Sequence, residues 1–130
     1  MPEWVGWALD GLDGRGVGRV HGFFADAESG EPAWLIAALK RRGFGFRRRP
    51  IRLVAIPLRD CAGGVDRVWA AHEGDAMRSA PVVDPTRPLL REHELTICAH
   101  YGIGEAVGRA AEVAGLAEGS ITARPATPSS

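Results

Sequence analysis

The sequence predicts a mainly β protein in which a small β-barrel is followed by C-terminal helices. Between residues 4 and 72 the apolar residues come in short clusters separated by Gly, Pro and Asp, which is typical of strands and turns. Beyond residue 71 the apolar residues recur at helical spacing. Short strands that are apolar on both faces protect their edges best by curling into a barrel, and a chain of 130 residues fits one such domain.

Turn-forming residues separate the predicted strands. The segment LDGLDGRG, residues 9 to 16, contains two Asp-Gly pairs that favour a turn between the first two strands. In the third strand, Trp34, Ile36 and Ala38 alternate with apolar neighbours, so both faces are apolar and the strand is predicted to be central. The five predicted strands cover residues 4–8, 16–25, 32–40, 50–58 and 65–72.

Helical features follow the strands. Residues 74–81 form one predicted helical turn closed by Pro81, and residues 82–88 form an extended connector. A helix is predicted over residues 91–100, because glycines that favour a helix end follow it. The predicted organisation is a barrel domain with a short helical end over residues 1–104, an Ala-rich C-terminal helix over residues 105–118, and a disordered tail over residues 119–130.

Composition and charge exclude several broad classes of protein. The 16 basic and 16 acidic residues cancel, so no overall charge attracts the chain to nucleic acid or to an anionic membrane. Cys61 and Cys98 form no CxxC pair, and the first residues lack the features of a signal peptide. Apolar runs are far shorter than the roughly 20 residues that span a bilayer. We therefore expect a cytoplasmic protein without membrane insertion.

Residues 40–52 carry an unusual concentration of positive charge, seven of the sixteen basic residues. Within this segment, RGFGF at 42–46 matches the start of an RNA-recognition motif, but Arg47 and Arg49 then occupy positions that need apolar side chains. The segment is better interpreted as a basic hairpin tip, either solvated or bound to an anionic partner. The candidate residues for such a partner are Lys40, Arg41, Arg42, Phe44, Arg47, Arg48, Arg49 and Arg52.

Catalytic and metal-binding motifs are not recognisable in the sequence, so we predict no enzyme, no cofactor and no metal. His93 and His100 lie two helical turns apart, too far to share one metal ion without further ligands. Neither cysteine stands in a nucleophile motif. The tryptophans are predicted to pack in the core or at the barrel end, and they are Trp4, Trp7, Trp34 and Trp69.

Several short motifs, taken in order, resemble the PRC-barrel family over residues 7 to 104. The chain departs from the family at Ala71 and His72, where many members have Pro-Tyr after the last barrel strand. The motifs are DGRGVGRV at 13–20, DxxSGEPAWL at 26–35, IPL at 56–58, MxxAP ending at Pro81, and LxxxELxxxxHYG at 90–102.

The resemblance implies a binding role without bond-making chemistry. Two relatives, the cytoplasmic domain of the reaction-centre H subunit and the C-terminal domain of RimM, use this barrel for assembly. The family therefore implies a stand-alone adaptor that recognises a protein partner, while binding to RNA or a ribosomal particle through residues 40–52 is the alternative. Homo-oligomerisation through residues 105–118 is also left open.

Overall fold

The computed structural model describes residues 2–40, 52–103 and 119–126, and the prediction of a mainly β protein is confirmed. Short 3₁₀ turns lie at Pro2–Trp4 and Leu58–Asp60. The eight strands are β1 Ala8–Asp10, β2 Gly16–Asp26, β3 Pro32–Leu39, β4 Arg52–Pro57, β5 Cys61–Gly63, β6 Arg67–Ala70, β7 Leu89–Leu90 and β8 Ile121–Pro125. The two helices are α1 Gly74–Arg78 and α2 Arg91–His100.

The strands form one sheet in the order β4-β3-β2-β1-β6-β5, and β8 joins it by pairing with β2 and β7. Strands β1 and β6 are parallel, and the other paired strands are antiparallel. Within the described part of the chain, the end strands β4 and β5 do not pair with each other. The sheet is therefore open, and the predicted closed barrel is not confirmed.

Strand β3 lies between β2 and β4 and has buried side chains on both faces, which confirms its predicted central position. Leu35, Ala37 and Leu39 belong to a first core with β1, β6 and α1, on what we call the inner face. Trp34 and Ile36 belong to a second core with α2, on the outer face. Two cores on one sheet explain why this strand is apolar throughout.

Strand β2 is long because it changes partners along its length. Its first half pairs with β1 and its last residues pair with β8, while β3 follows it on the other side. Register shifts in this strand interrupt the alternation of its side chains. At Gly18 the backbone of β3 approaches so closely that an added Cβ would overlap the carbonyl oxygen of Ala38.

Both helices described were predicted. The short helix α1 ends before Pro81, and α2 covers the predicted residues 91–100. After α2, Gly102 has a φ of 70°. The N–H of Gly102 donates to the carbonyl of Ala99, and the N–H of Ile103 donates to the carbonyl of Cys98. This Schellman arrangement satisfies the last helical carbonyls, and it requires the left-handed conformation that glycine adopts at least cost.

The predicted disordered tail is wrong for the residues that form β8. Ala123 is buried, and the Thr122 hydroxyl donates to the carbonyl of Leu89. A segment placed between two strands gains backbone hydrogen bonds on both sides, which its composition does not reveal. Strands β5 and β7 were not predicted, and the first strand begins at Ala8 rather than at residue 4. The predicted helix over 105–118 lies outside the described residues.

The helices α1 and α2 are not membrane-spanning helices. Neither of them, nor any other helix in the described ranges, combines the length and the apolar character needed to cross a bilayer.

Candidate functional site

The two ends of the predicted basic hairpin are described, and they lie side by side because Leu39 and Arg52 are register partners. Lys40 is exposed, and its backbone N–H donates to the carbonyl of Val17 at 3.0 Å. Arg52 is half-buried and donates from Nη2 to the carbonyl of Ala80 at 2.6 Å. Its guanidinium is therefore used inside the fold. The other candidates, Arg41, Arg42, Phe44, Arg47, Arg48 and Arg49, lie outside the described residues.

Helix α2 covers one half of the outer face of the sheet, and no other described residue packs over the second half. The strand pairing shows which side chains lie on this second half. Ala8 of β1 pairs with Arg19 of β2 and with Arg67 of β6, and Asp10 of β1 pairs with Trp69 of β6. Side chains of one row across a sheet point to the same face. We call this surface the open face, formed by Ala8, Asp10, Arg19, Ala62, Arg67 and Trp69.

Trp69 is the main apolar feature of the open face, with 43% of its surface exposed. Its strand neighbours Val68 and Ala70 are buried, so the alternation of the strand turns the indole outward. The ring lies against the turn between β5 and β6, since an added Cβ on Gly64 would stand 2.7 Å from ring atom Cζ3. The tryptophans were predicted to pack in the core or at the barrel end; Trp34 is buried in the core, and Trp69 is not.

The other two tryptophans pack at the end of the sheet, as the sequence predicted. Trp4 stacks on Trp7 with ring centroids 6.4 Å apart, and it contacts Phe23 at the same distance. The Trp4 ring also occupies the space where a Cβ on Gly63 would stand, at the edge strand β5. This aromatic cluster therefore covers the face of β5 on the side of the first core.

Further exposed apolar side chains lie near the two ends of β6. Leu12 is 63% exposed, and its N–H donates to the carbonyl of His72, just beyond β6. Val65 is 89% exposed in the turn that leads into β6. Single exposed aliphatic residues are ordinary on a protein surface, so Trp69 is the main apolar feature of the open face.

A buried carboxylate orients the arginine beside Trp69. Asp10 is 2% exposed, and its Oδ2 accepts from Nη1 of Arg67 at 2.7 Å. Its Oδ1 is also buried and has no hydrogen-bond partner within the described residues. The attraction within a buried ion pair offsets the desolvation of its charges only in part, so this pair is a weak source of stability. It does hold the guanidinium of Arg67, whose side chain is 48% exposed, on the open face.

Two more cations lie at this surface. Arg19 is exposed and donates from Nη1 to the carbonyl of Gly6 at 3.0 Å. Because Arg19 and Arg67 are each one strand away from Ala8, their backbones lie about 10 Å apart. Lys40 stands where β3 ends beside Val17 of β2, at the border of the same surface. The acidic member of the face, Asp10, lies beneath Arg67.

A separate groove of about 330 Å³ runs between α2 and the connector at residues 81–89. Its floor is apolar and its rim carries the charged pair Asp84 and Arg87, whose Oδ2 and Nε lie 3.7 Å apart. Hydrogen bonds from Thr86 lower the pKa of Asp84, which therefore stays charged and compensates Arg87. The groove thus has no excess charge at its rim. Its floor is lined by Phe24, Val83, Leu89 and Ile97.

A cluster of titratable side chains joins the end of β6 to α2. His72 Nε2 lies 2.8 Å from Oδ2 of Asp60, and its ring contacts the ring of Tyr101 with centroids 4.6 Å apart and planes tilted by 48°. The Tyr101 hydroxyl donates to the carbonyl of Ala55, and burial raises the pKa of Tyr101. The side chain of His72 is therefore engaged in internal contacts.

Cys61 neighbours this cluster, and its environment does not activate it. Burial, followed by the charge of Asp60, raises the pKa of Cys61 to about 12, and the thiol donates to the carbonyl of Pro57. A nucleophilic cysteine needs a lowered pKa, because the thiolate is the reactive form. The geometry therefore stabilises the packing at this position and does not prepare a nucleophile.

We expect the Cys61 thiol to react slowly and to make stability depend on alkaline pH. Because its folded-state pKa lies above the ordinary value of 9.0, its contribution is fully present below pH 9 and is lost as pH rises towards 12. Iodoacetamide labelling followed by mass spectrometry should give slow modification at pH 8. The Cys61→Ala variant should lose less stability than the wild type between pH 9 and 11. Rapid labelling at pH 8 would show that the thiol is ionised.

The described residues contain no group of three His, Cys, Asp or Glu side chains arranged to hold a metal ion. His100 instead donates from Nε2 to the carbonyl of Ala76 at 2.6 Å, which links α2 to α1. Comparison with protein-family models and with curated proteins finds no match to this chain, so the resemblance to the PRC-barrel family stays a prediction.

Proposed function

We propose that the protein is a non-enzymatic binding module of PRC-barrel type that docks a partner protein on its open face. The observation that carries this proposal is the exposed indole of Trp69, placed on an uncovered sheet face beside Arg67. Tryptophan and arginine are the residues most enriched among those that dominate the energy of protein interfaces. The motif order that resembles the PRC-barrel family supports the same class of function.

The surroundings of Trp69 support a binding role in preference to a stabilising one. The ring rests on the glycine turn after β5, so its position is defined before a partner arrives, and less entropy is lost on binding. Asp10 restricts Arg67 in the same way.

Replacing Trp69 should abolish partner binding while leaving the fold intact. We expect tagged wild-type protein to retain a specific partner from lysate of its own source, and Trp69→Ala to retain at least tenfold less. The matched control is Leu95→Ala, since Leu95 is also exposed, on α2. Quantitative mass spectrometry of the retained proteins measures the difference. Equal recovery by all three proteins would contradict the proposal.

Binding to RNA is the second candidate, and it is favoured by the combination of Lys40, Arg19 and Arg67 with an aromatic ring at one surface. Proteins that bind single strands combine cations that follow the phosphates with rings that stack on bases. The basic segment 40–52 begins at Lys40, next to this surface. Titration with poly(U) at several salt concentrations tests the candidate, since each lost phosphate contact should reduce the salt slope by about 1.

Location and oligomeric state belong to the same proposal. The free thiol of Cys61 supports a reducing compartment such as the cytoplasm. Light scattering on the full chain tests whether two copies associate. If a dimer forms and Trp69→Ala dissociates it, the partner on the open face is a second copy of the chain.

A further inference from the structure

The open face carries positive charge that the fold does not neutralise. Arg19 and Lys40 are exposed, and the side chain of Arg67 is half exposed above Asp10. At the border of the face, Asp13 lies 3.8 Å from Arg15 and is compensated by it. Asp66 is exposed in the turn before Arg67, and Arg67 is paired with Asp10, so the excess positive charge of this surface comes from Arg19 and Lys40, although the whole chain is neutral.

The apolar part of the surface is suited to side chains. Among the described residues Trp69 is the one ring on the open face, and the exposed apolar residues near the two ends of β6, Leu12 and Val65, are aliphatic. Single-stranded nucleic acid gains affinity from successive rings that stack on successive bases. A peptide instead packs an apolar side chain against both aromatic and aliphatic groups. The composition of the patch therefore favours a protein segment over RNA.

From these features we infer that the open face binds an acidic, extended segment of the partner protein. Two carboxylates of the segment pair with Arg19 and Arg67, and an apolar side chain packs on Trp69. An extended chain advances about 3.3 Å per residue and turns every second side chain to the same face, so carboxylates two residues apart (about 7 Å) or four residues apart (about 13 Å) come nearest to the distance of about 10 Å between the two arginine backbones. The inference rests on the proposed function and names the chemistry of the partner.

The two arginines differ in how firmly the fold positions their guanidinium groups for such a segment. Asp10 holds Nη1 of Arg67, which leaves the other nitrogens of the guanidinium free to meet a carboxylate from the solvent side. Arg19 uses one nitrogen on the carbonyl of Gly6 and is otherwise exposed. Charge pairs at the rim of an interface mainly raise the association rate and its dependence on salt. Trp69 supplies the apolar contact that slows dissociation.

Panning a phage library of random 12-residue peptides on the full chain tests this inference. We expect the enriched peptides to contain two or more Asp or Glu residues and at least one large apolar residue. A synthetic peptide of the enriched sequence is then titrated by calorimetry into the wild type and three variants. We expect Trp69→Ala to weaken binding at least tenfold and Arg19→Gln about fivefold, with Arg124→Gln, an exposed arginine of β8, as the unchanged control.

Arg67 needs a separate variant, because removing it leaves the charge of Asp10 buried. The double substitution Asp10→Asn with Arg67→Gln removes both charges and should weaken peptide binding about fivefold while the protein stays folded. If that variant unfolds, Arg19→Gln still tests the charge contribution. Peptide binding should also weaken as salt rises from 50 to 300 mM.

The outcomes separate this inference from the proposed function. If Trp69→Ala weakens binding but Arg19→Gln does not, or if the enriched peptides are neutral or basic, the acidic partner is contradicted and the protein-binding module stands. If Trp69→Ala has no effect on an enriched peptide, both are contradicted. If no peptide is enriched and poly(U) binds in a way that depends on Trp69, the partner is nucleic acid. If neither probe binds, the inference is also contradicted.

Discussion

Replacing Gly18 with alanine is expected to lower the free energy of unfolding by about 3 kcal/mol or more. The added Cβ would overlap the carbonyl oxygen of Ala38 and stand 2.9 Å from Cα of Leu39. Both are backbone atoms of the central strand β3, so no side chain can rotate away. Relief of the overlap requires β2 and β3 to separate at the point where both belong to the first core.

The matched control is Gly22→Ala in the same strand. A Cβ on Gly22 meets no atom within 4 Å, and alanine costs less backbone entropy than glycine. We expect a change in unfolding free energy of less than about 1 kcal/mol for this variant. Urea denaturation followed by tryptophan fluorescence measures both. Equal stability of the two variants would show that β2 and β3 do not approach closely at Gly18.

Replacing Trp34 with alanine is expected to lower the free energy of unfolding by about 3–5 kcal/mol. Its side chain is fully buried at the centre of the second core, between the sheet and α2. Its Nε1 also donates to Oε2 of the buried Glu94, at 3.4 Å. The substitution therefore removes a large apolar volume and a hydrogen bond from the contact between β3 and α2.

Trp69→Ala provides the comparison for this second prediction. Because Trp69 is partly exposed and contacts the turn at Gly64, its removal should cost no more than about 1 kcal/mol. The two variants together test which half of the outer face is covered. Thermal unfolding by circular dichroism measures the difference. A loss for Trp69→Ala as large as that for Trp34→Ala would mean that the open face is covered.

Local patterns in the sequence predicted those elements that can be recognised without knowing which strands or helices they pack against. Strand β3 is apolar on both sides, so its central position follows without knowing which strands flank it. Helix α2 ends at a glycine signal that acts within one turn. Strand β8 was missed because its stability comes from pairing with β2 and β7, which lie far away in the sequence.

The candidate site depended on register, which the sequence did not reveal. Asp10 and Arg67 lie 57 residues apart, and their contact follows from the parallel pairing of β1 with β6. Trp69 was grouped with the other tryptophans as a core or barrel-end residue, although its buried neighbours Val68 and Ala70 show the alternation that turns it outward. The basic segment was identified by its composition alone. The structure shows that one of its charged side chains, Arg52, donates a hydrogen bond to the carbonyl of Ala80.

Photo-crosslinking from the open face tests the central claim most directly. The photoreactive residue p-benzoylphenylalanine is introduced at position 69 or, as the control, at Leu95 on α2, and the protein is irradiated in cells. We predict a discrete crosslinked species from position 69 that does not form from position 95. Its yield should fall when Arg19→Gln is combined with the photoreactive residue at position 69. Crosslinking from position 95 with none from position 69 would contradict a partner on the open face.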